Sequence, residues 1–126
     1  MKLEQEAKKW LKEKYKDMEM NEYQRKSVEF AIYPHSHSIL YPALGLAGEA
    51  GEVANKVKKF IRDGYDKENF EEKKIELASE IGDVLWYCSA LARDLGFDLA
   101  SIAQENYTKL SGRKERGTIG GNGDTR

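Results

Sequence analysis

Apolar positions recur at helical intervals along almost the whole chain. Leu3, Ala7, Trp10 and Leu11 stand among lysines and glutamates and predict an amphipathic helix from Leu3 to about Met18. Asn21, followed three positions later by Gln24, reads as a capping box that opens a second helix. That helix should pass through Val28 to about Ile32, with Pro34 as its stop and a loop from Tyr33 to Pro42. A third helix is predicted from Ala43 to Arg62, carrying Leu46, Ala50, Val53, Val57 and Phe60 on one stripe and ending at Asp63 and Gly64. A longer one follows from Glu68 to Leu95. Its stripe contains Ile75, Leu77, Ile81, Val84, Leu85, Cys88, Leu91 and Leu95, and Gly96 stops it. Asp98 then caps a last helix that carries Leu99, Ile102, Ala103 and Leu110.

No alternating strand pattern, hairpin signal or internal repeat interrupts this series. The expected fold is all-α, a bundle of about four to five helices completed by oligomerisation. Three segments are distinguished: an N-terminal amphipathic helix over 1–20, a helical domain over 21–111, and a glycine-rich basic tail over 112–126. The tail interleaves Gly112, Gly117, Gly120, Gly121 and Gly123 with Arg113, Lys114, Arg116 and Arg126. Glycine at that density disfavours helix, and a flexible basic tail that closes over an anion is expected.

At 126 residues the chain fits one domain, and it is short enough for a metal or a partner chain to help hold it together. Cys88 is the single cysteine, which excludes an internal disulfide and fits a reducing cytoplasm. Hydrophobic residues make up 40% and charged residues 34%, a mixture that folds. Lys and Arg number 21 against 22 for Asp and Glu, so no overall field draws the chain to nucleic acid. No apolar run approaches a membrane span and no secretory signal follows the N-terminus, so a cytoplasmic protein without a membrane partner is expected.

The strongest chemical signal is a pair of carboxylate pairs. Glu49 and Glu52 stand three apart in GEAGEV, and Glu80 and Asp83 stand three apart in SEIGDV. Spacing of three puts each pair on one helical face, inside stretches of apolar and small residues where free acids are costly. If the four converge, a hard divalent cation between them relieves the repulsion, since oxygen ligands suit magnesium and calcium. Small residues on the same helices (Ala47, Gly51 and Ala54; Ser79, Gly82 and Ser89) are expected to let the two approach closely. Glu68, Glu71, Glu72 and Glu76 read as ordinary solvated acids, with an outer role open for Glu76, one turn before Glu80. Lys56 and Lys59 continue the face of Glu49 and Glu52, and Asn106, Lys109 and Arg113 share a face if the last helix persists. Such cations meet phosphate, arginine through its planar fork and lysine as a point charge; they serve equally as solvated helix ends.

Other features carry less. His35 and His37 alternate with serines in a loop and lack a third ligand. Cys88 falls on an apolar stripe and reads as core, while Trp86 reads as a subunit contact before a base-stacking surface. GTIGGNGD lacks the lysine and following helix of a phosphate loop.

The acid pairs, as Glu49-Ala50-Gly51-Glu52 and Glu80-Ile81-Gly82-Asp83, together with EAGEVANKVKK, EIGDVLWY and the ending NYTKLSGRKERGTIGGNGD, resemble the MazG-like nucleoside triphosphate pyrophosphohydrolases. The resemblance runs over about residues 21 to 126. It implies magnesium, with manganese as a substitute, held by Glu49, Glu52, Glu80 and Asp83. It also implies hydrolysis of a ribo- or deoxynucleoside triphosphate to the monophosphate and pyrophosphate. Lys56, Lys59, Asn106, Lys109 and Arg113 then match positions that meet phosphate or sugar, in a homodimer or homotetramer with sites at or near subunit interfaces. A narrower dUTP, dCTP or phosphoribosyl-ATP pyrophosphatase would use the same acids. A non-catalytic helical interaction protein is the reading from another class.

Overall fold

The computed structural model describes residues 2–64, 66 and 69–126. Among these there are five α-helices and no strand: α1 (Lys2–Lys14), α2 (Met20–Ser27), α3 (Leu40–Asp63), α4 (Phe70–Asp94) and α5 (Leu99–Glu115). The expected helix start at Glu68 lies outside the described residues, as do the side chains of Leu3 and Ala7.

The chain is organised on the antiparallel hairpin of α3 and α4, the most extensive helix pair. Gly64, at φ 74°, ends α3, and Gly96, at φ 84°, follows α4, both in the left-handed region that glycine enters without steric cost. The helix predicted from Ala43 begins instead at Leu40 and takes in Tyr41 and Pro42. Pro42 is tolerated there because its missing N–H falls in the first turn, where no intrahelical acceptor exists. At the other end of the hairpin, α4 begins at Phe70 and stops at Asp94.

The N-terminal elements are shorter than the periodicity predicts. Helix α1 ends at Lys14 rather than near Met18, where Tyr15 and Met18 are exposed and no packing rewards further helix. Helix α2 ends at Ser27 rather than near Ile32. The Ser27 carbonyl accepts a hydrogen bond from the Trp86 indole N–H at 3.2 Å, and Ala31 N–H turns to the Val28 carbonyl in a 3₁₀ turn over Val28–Phe30.

The predicted capping box is also corrected. Asn21 and Gln24 do not cap α2; they cap α5. The Leu99 N–H donates to Gln24 Oε1 at 2.9 Å and the Ala100 N–H to Asn21 Oδ1 at 3.0 Å. The Ser101 N–H donates to Asp98 Oδ1 at 2.9 Å, as the sequence predicts for that cap. Three of the four free donors at the start of α5 are thereby satisfied, two of them by another helix.

Buried residues are few and mostly small: Ser27, Pro42, Ser89, Ala90, Ala92, Leu99 and Arg113. The close approach expected at Gly51 and Gly82 does not occur, since a Cβ at either would meet nothing within 4 Å. It occurs at Gly45, where a Cβ would fall 2.1 Å from the Tyr87 ring, and at the Ser27–Ser89 hydroxyl pair, 3.3 Å apart. Several positions of the predicted apolar stripes are exposed, among them Val57, Ile81, Leu85 and Leu95. Cys88 is half-buried rather than core, and burial pushes its thiol pKa up.

Helix α5 runs past Ser111 and Gly112 to Glu115, so Arg113 is helical. The segment after it folds back on α5. Arg113 Nη2 donates to the Asp124 carbonyl at 3.0 Å, and Arg116 Nη2 to the Arg126 carbonyl at 2.9 Å. The Arg126 guanidinium donates to the carbonyls of Thr118, Ile119, Gly120 and Gly123.

Candidate functional site

Because α3 and α4 run antiparallel, residues on their facing surfaces pair in a descending order. Each rung has a distinct chemistry. Gly45 meets Tyr87, Glu49 meets Asp83, and Lys56 meets Glu80 and Glu76. From Gly45 to Lys56 these rungs extend about 16 Å along the helix axis, at the helical rise per residue.

The middle rung carries the acids. Glu49, Glu80 and Asp83 each offer a carboxylate oxygen, and the three oxygens lie within 4.8 Å of one another. The Glu49 carboxyl pKa is raised, first by burial and then by the negative charges of Asp83, Glu80 and Glu52. An all-oxygen donor set with this concentration of charge fits a hard divalent cation, whereas zinc or copper sites draw on nitrogen or sulfur. Glu52 is one turn away and not in this triad; it lines a neighbouring cavity.

That cavity, of about 280 Å³, is lined by Glu52, Lys56, Lys59, Lys73, Glu76 and Asp63, with Phe60 and Gly64. Lys56 Nζ stands 3.4 Å from Glu80 and 3.9 Å from Glu76, and Lys73 Nζ stands 3.8 Å from Glu76. Lys56 therefore bridges the helices and contributes positive charge at the edge of the acid triad. Glu76, read from the sequence as an ordinary solvated acid with an outer role open, pairs with both lysines.

On the opposite side of the acids lies an aromatic cavity of about 430 Å³, within the size range of small-molecule sites. Phe30, Ile32, Tyr33, Tyr41, Trp86 and Tyr87 line it, together with Glu49 and Asp83. The Tyr33 and Tyr41 rings stack at 4.7 Å, and Trp86 meets Tyr87 edge to face at 5.0 Å. Burial, the Tyr41 hydroxyl and the nearby acids together raise the Tyr87 pKa.

Most of this wall escaped the sequence reading. Tyr33, Tyr41 and Tyr87 lie on a loop and two helices, with no spacing that links them; the density of aromatics from Phe30 to Tyr41 was the available signal. Trp86, read first as a subunit contact, lines the cavity and is tied to α2 through its indole N–H. His35 and His37 sit exposed in a 3₁₀ turn outside the cavity wall.

The cationic face predicted on α5 is divided. Asn106 and Lys109 line a separate cavity with Phe97, Ser101, Ile102 and Glu105. Arg113 is buried and held to the carbonyl of Asp124. None of the three is brought to the acid triad within the chain.

Among the described residues, no helix is long and apolar enough to cross a membrane. A family model described as the MazG nucleotide pyrophosphohydrolase domain matches residues 37–118. The chain is also similar to the Gene 37 protein of Mycobacterium phage L5, at 43% identity over 115 residues, covering 86% of this chain and 100% of that protein. No solved structure matches the chain. The matched segment holds the whole α3–α4 hairpin and, with it, the Glu49, Glu80 and Asp83 cluster, and the chain belongs to the MazG nucleotide pyrophosphohydrolase family.

Proposed function

We propose that the protein hydrolyses nucleoside triphosphates between the α and β phosphates, releasing a nucleoside monophosphate and pyrophosphate in a magnesium-dependent reaction. The observation that carries this reading is the order of the rungs, with the acid triad between an aromatic cavity and a lysine-lined one. A base seated against Tyr33, Tyr41 and Tyr87 puts the α phosphate at the acids and the terminal phosphates toward Lys56, Lys59 and Lys73.

Glu49, Glu80 and Asp83 would hold magnesium, with Glu52 beside them. Bound there, a divalent ion supplies charge neutralisation at phosphate oxygens and acidifies a coordinated water. The chain's own residues do the rest. The aromatic rings hold the base by stacking. The lysines neutralise the leaving pyrophosphate as its charge grows, which lowers the barrier where charge develops. Glu52, one turn from Glu49 on the same helix, would orient the attacking water or accept its proton.

The residues lining the aromatic cavity include five aromatic rings but no side-chain amide or guanidinium group to read a base edge. This favours a broad range of nucleoside triphosphates over the narrower dUTP, dCTP or phosphoribosyl-ATP enzymes. Asn106 and Lys109 enter the same proposal as groups that reach substrate across a subunit boundary, since they do not reach the acids in their own chain.

The test is product analysis on a panel of ribo- and deoxynucleoside triphosphates across a magnesium titration. Monophosphate and pyrophosphate are expected, with kcat/KM varying by no more than about tenfold among bases, as stacking is sequence-tolerant. Release of inorganic phosphate from the γ position, or no turnover of any nucleotide, overturns the reading.

A further inference from the structure

The aromatic cavity depends on a loop that α4 holds from outside the site. Tyr33 and Ile39 lie in the connection between α2 and α3, and both bond to Asp94, the last residue of α4. The Tyr33 hydroxyl donates to Asp94 Oδ2 at 2.8 Å, and the Ile39 N–H donates to the same oxygen at 3.1 Å. Arg93 closes the arrangement. Its Nη2 donates to the Tyr33 hydroxyl oxygen at 2.8 Å and to Asp94 Oδ1 at 3.1 Å, with Nε at 3.3 Å from the same oxygen.

Three features set this cluster apart from an ordinary surface pair. The Asp94 side chain is only 6% exposed, so its carboxylate depends on these donors. Ile39 is the one non-glycine residue at positive φ among those described, at 69°, a conformation that β-branched residues avoid unless their surroundings enforce it. And Tyr33, fixed at its hydroxyl, presents its ring to Tyr41 at 4.7 Å and 18°, forming one wall of the cavity.

We infer that Asp94 is a positioning residue for base binding: it anchors the loop at residues 33 and 39 and so sets the Tyr33 ring at the stacking distance. Asp94 does not line the cavity and acts through Tyr33. The inference rests on the proposed seating of the base, and it predicts a defect in binding rather than in chemistry.

The experiment uses the full chain in a Trp10→Phe background, so that Trp86 in the cavity wall is the only indole emitting. AMP and UMP are titrated against Trp86 fluorescence without metal, and nucleoside triphosphate turnover is measured with magnesium. Asp94→Ala is expected to weaken monophosphate binding and raise KM for triphosphates by about tenfold, a loss within the range of one base–aromatic stack, while kcat changes by less than about threefold. Methyl triphosphate, which has no base, should show a variant-to-wild-type KM ratio within about twofold.

Tyr33→Phe removes only the hydroxyl and keeps the ring; it should reproduce the defect in part, even if Asp94→Ala proves too unstable to assay. Folded variants that bind AMP and UMP as wild type does overturn the inference and leave the proposed hydrolysis standing. An equal KM rise for methyl triphosphate also overturns it, because the effect would then not pass through the base. A wild-type protein that binds the monophosphates but hydrolyses no triphosphate overturns the proposed function alone, and the fluorescence titration still decides the role of Asp94.

Discussion

Asp83→Asn keeps the size of a triad side chain and deletes its charge. Changes in groups that merely support metal ligands cost about 10- to 100-fold, so turnover should fall by at least about that much, with the magnesium midpoint shifted upward. Activity measured across a magnesium titration checks this. Lys56→Met gives the opposite sign for the ion. It removes the ammonium 3.4 Å from Glu80, so calorimetry should find magnesium bound more tightly while KM for triphosphates rises. Two carboxyls also oppose one another in their response to pH. Burial raises the pKa of Asp94, but the Ile39 N–H, the Tyr33 hydroxyl and Arg93 outweigh it and hold it below the ordinary value. Its contribution to stability is therefore complete above the usual Asp pKa and lost as pH falls through the lowered one. Glu49 is raised, so its contribution is complete below the usual Glu pKa and lost as pH rises through the raised one. Metal-free melts between about pH 3 and 7 should show a maximum between the two losses, and magnesium should remove the high-pH decline. Asp94→Asn should flatten the low-pH limb.

Helix α5 depends on α2 for its first turn. Replacing Gln24 by Ala strands the Leu99 N–H and removes the bond from Gln24 Nε2 to the Phe97 carbonyl at 3.1 Å. A loss of about 0.5–2 kcal/mol is expected, as for other helix caps, readable in a urea denaturation series. This element also shows what can be read from a chain and what cannot. The Asp98 cap was legible because donor and acceptor lie three residues apart, within one turn. Asn21 and Gln24 have the same local signature but serve N–H groups more than seventy residues away, a pairing no local window contains. The acid pairs were legible for the first reason: spacing of three fixes a helical face before any tertiary structure is known. The aromatic wall was not, since Tyr33, Tyr41 and Tyr87 become neighbours only when the loop docks and the hairpin closes.

The molecule exposes 9869 Å² at a mass of 14.4 kDa, against about 6,800 Å² for a compact monomer of that mass. Apolar side chains contribute to the excess on both central helices, with Leu44, Ile61 and Ile81 each more than half exposed. A surface this extended supports the proposal that a second copy covers part of it. At least a dimer is expected in sedimentation equilibrium at micromolar concentration, and specific activity should fall on dilution. A compact, fully active monomer under those conditions would count against it. The all-helical class and the two long helices of the central hairpin were legible from periodicity alone; their pairing was not. The thinness of the core was not, because an apolar stripe has the same period whether it meets its own chain or another.

Gly45 has a consequence at the level of the gene. The Tyr87 ring occupies the space where its Cβ would stand, and it is the ring, not a flexible chain end, that would have to move. Every amino-acid change reachable from a glycine codon by one nucleotide introduces a Cβ, so no single base substitution offers this position a smaller side chain. Its codon should therefore drift only among synonyms unless Tyr87 changes as well. In a library selected for activity, substitutions at 45 should appear together with smaller residues at 87, and rarely without them.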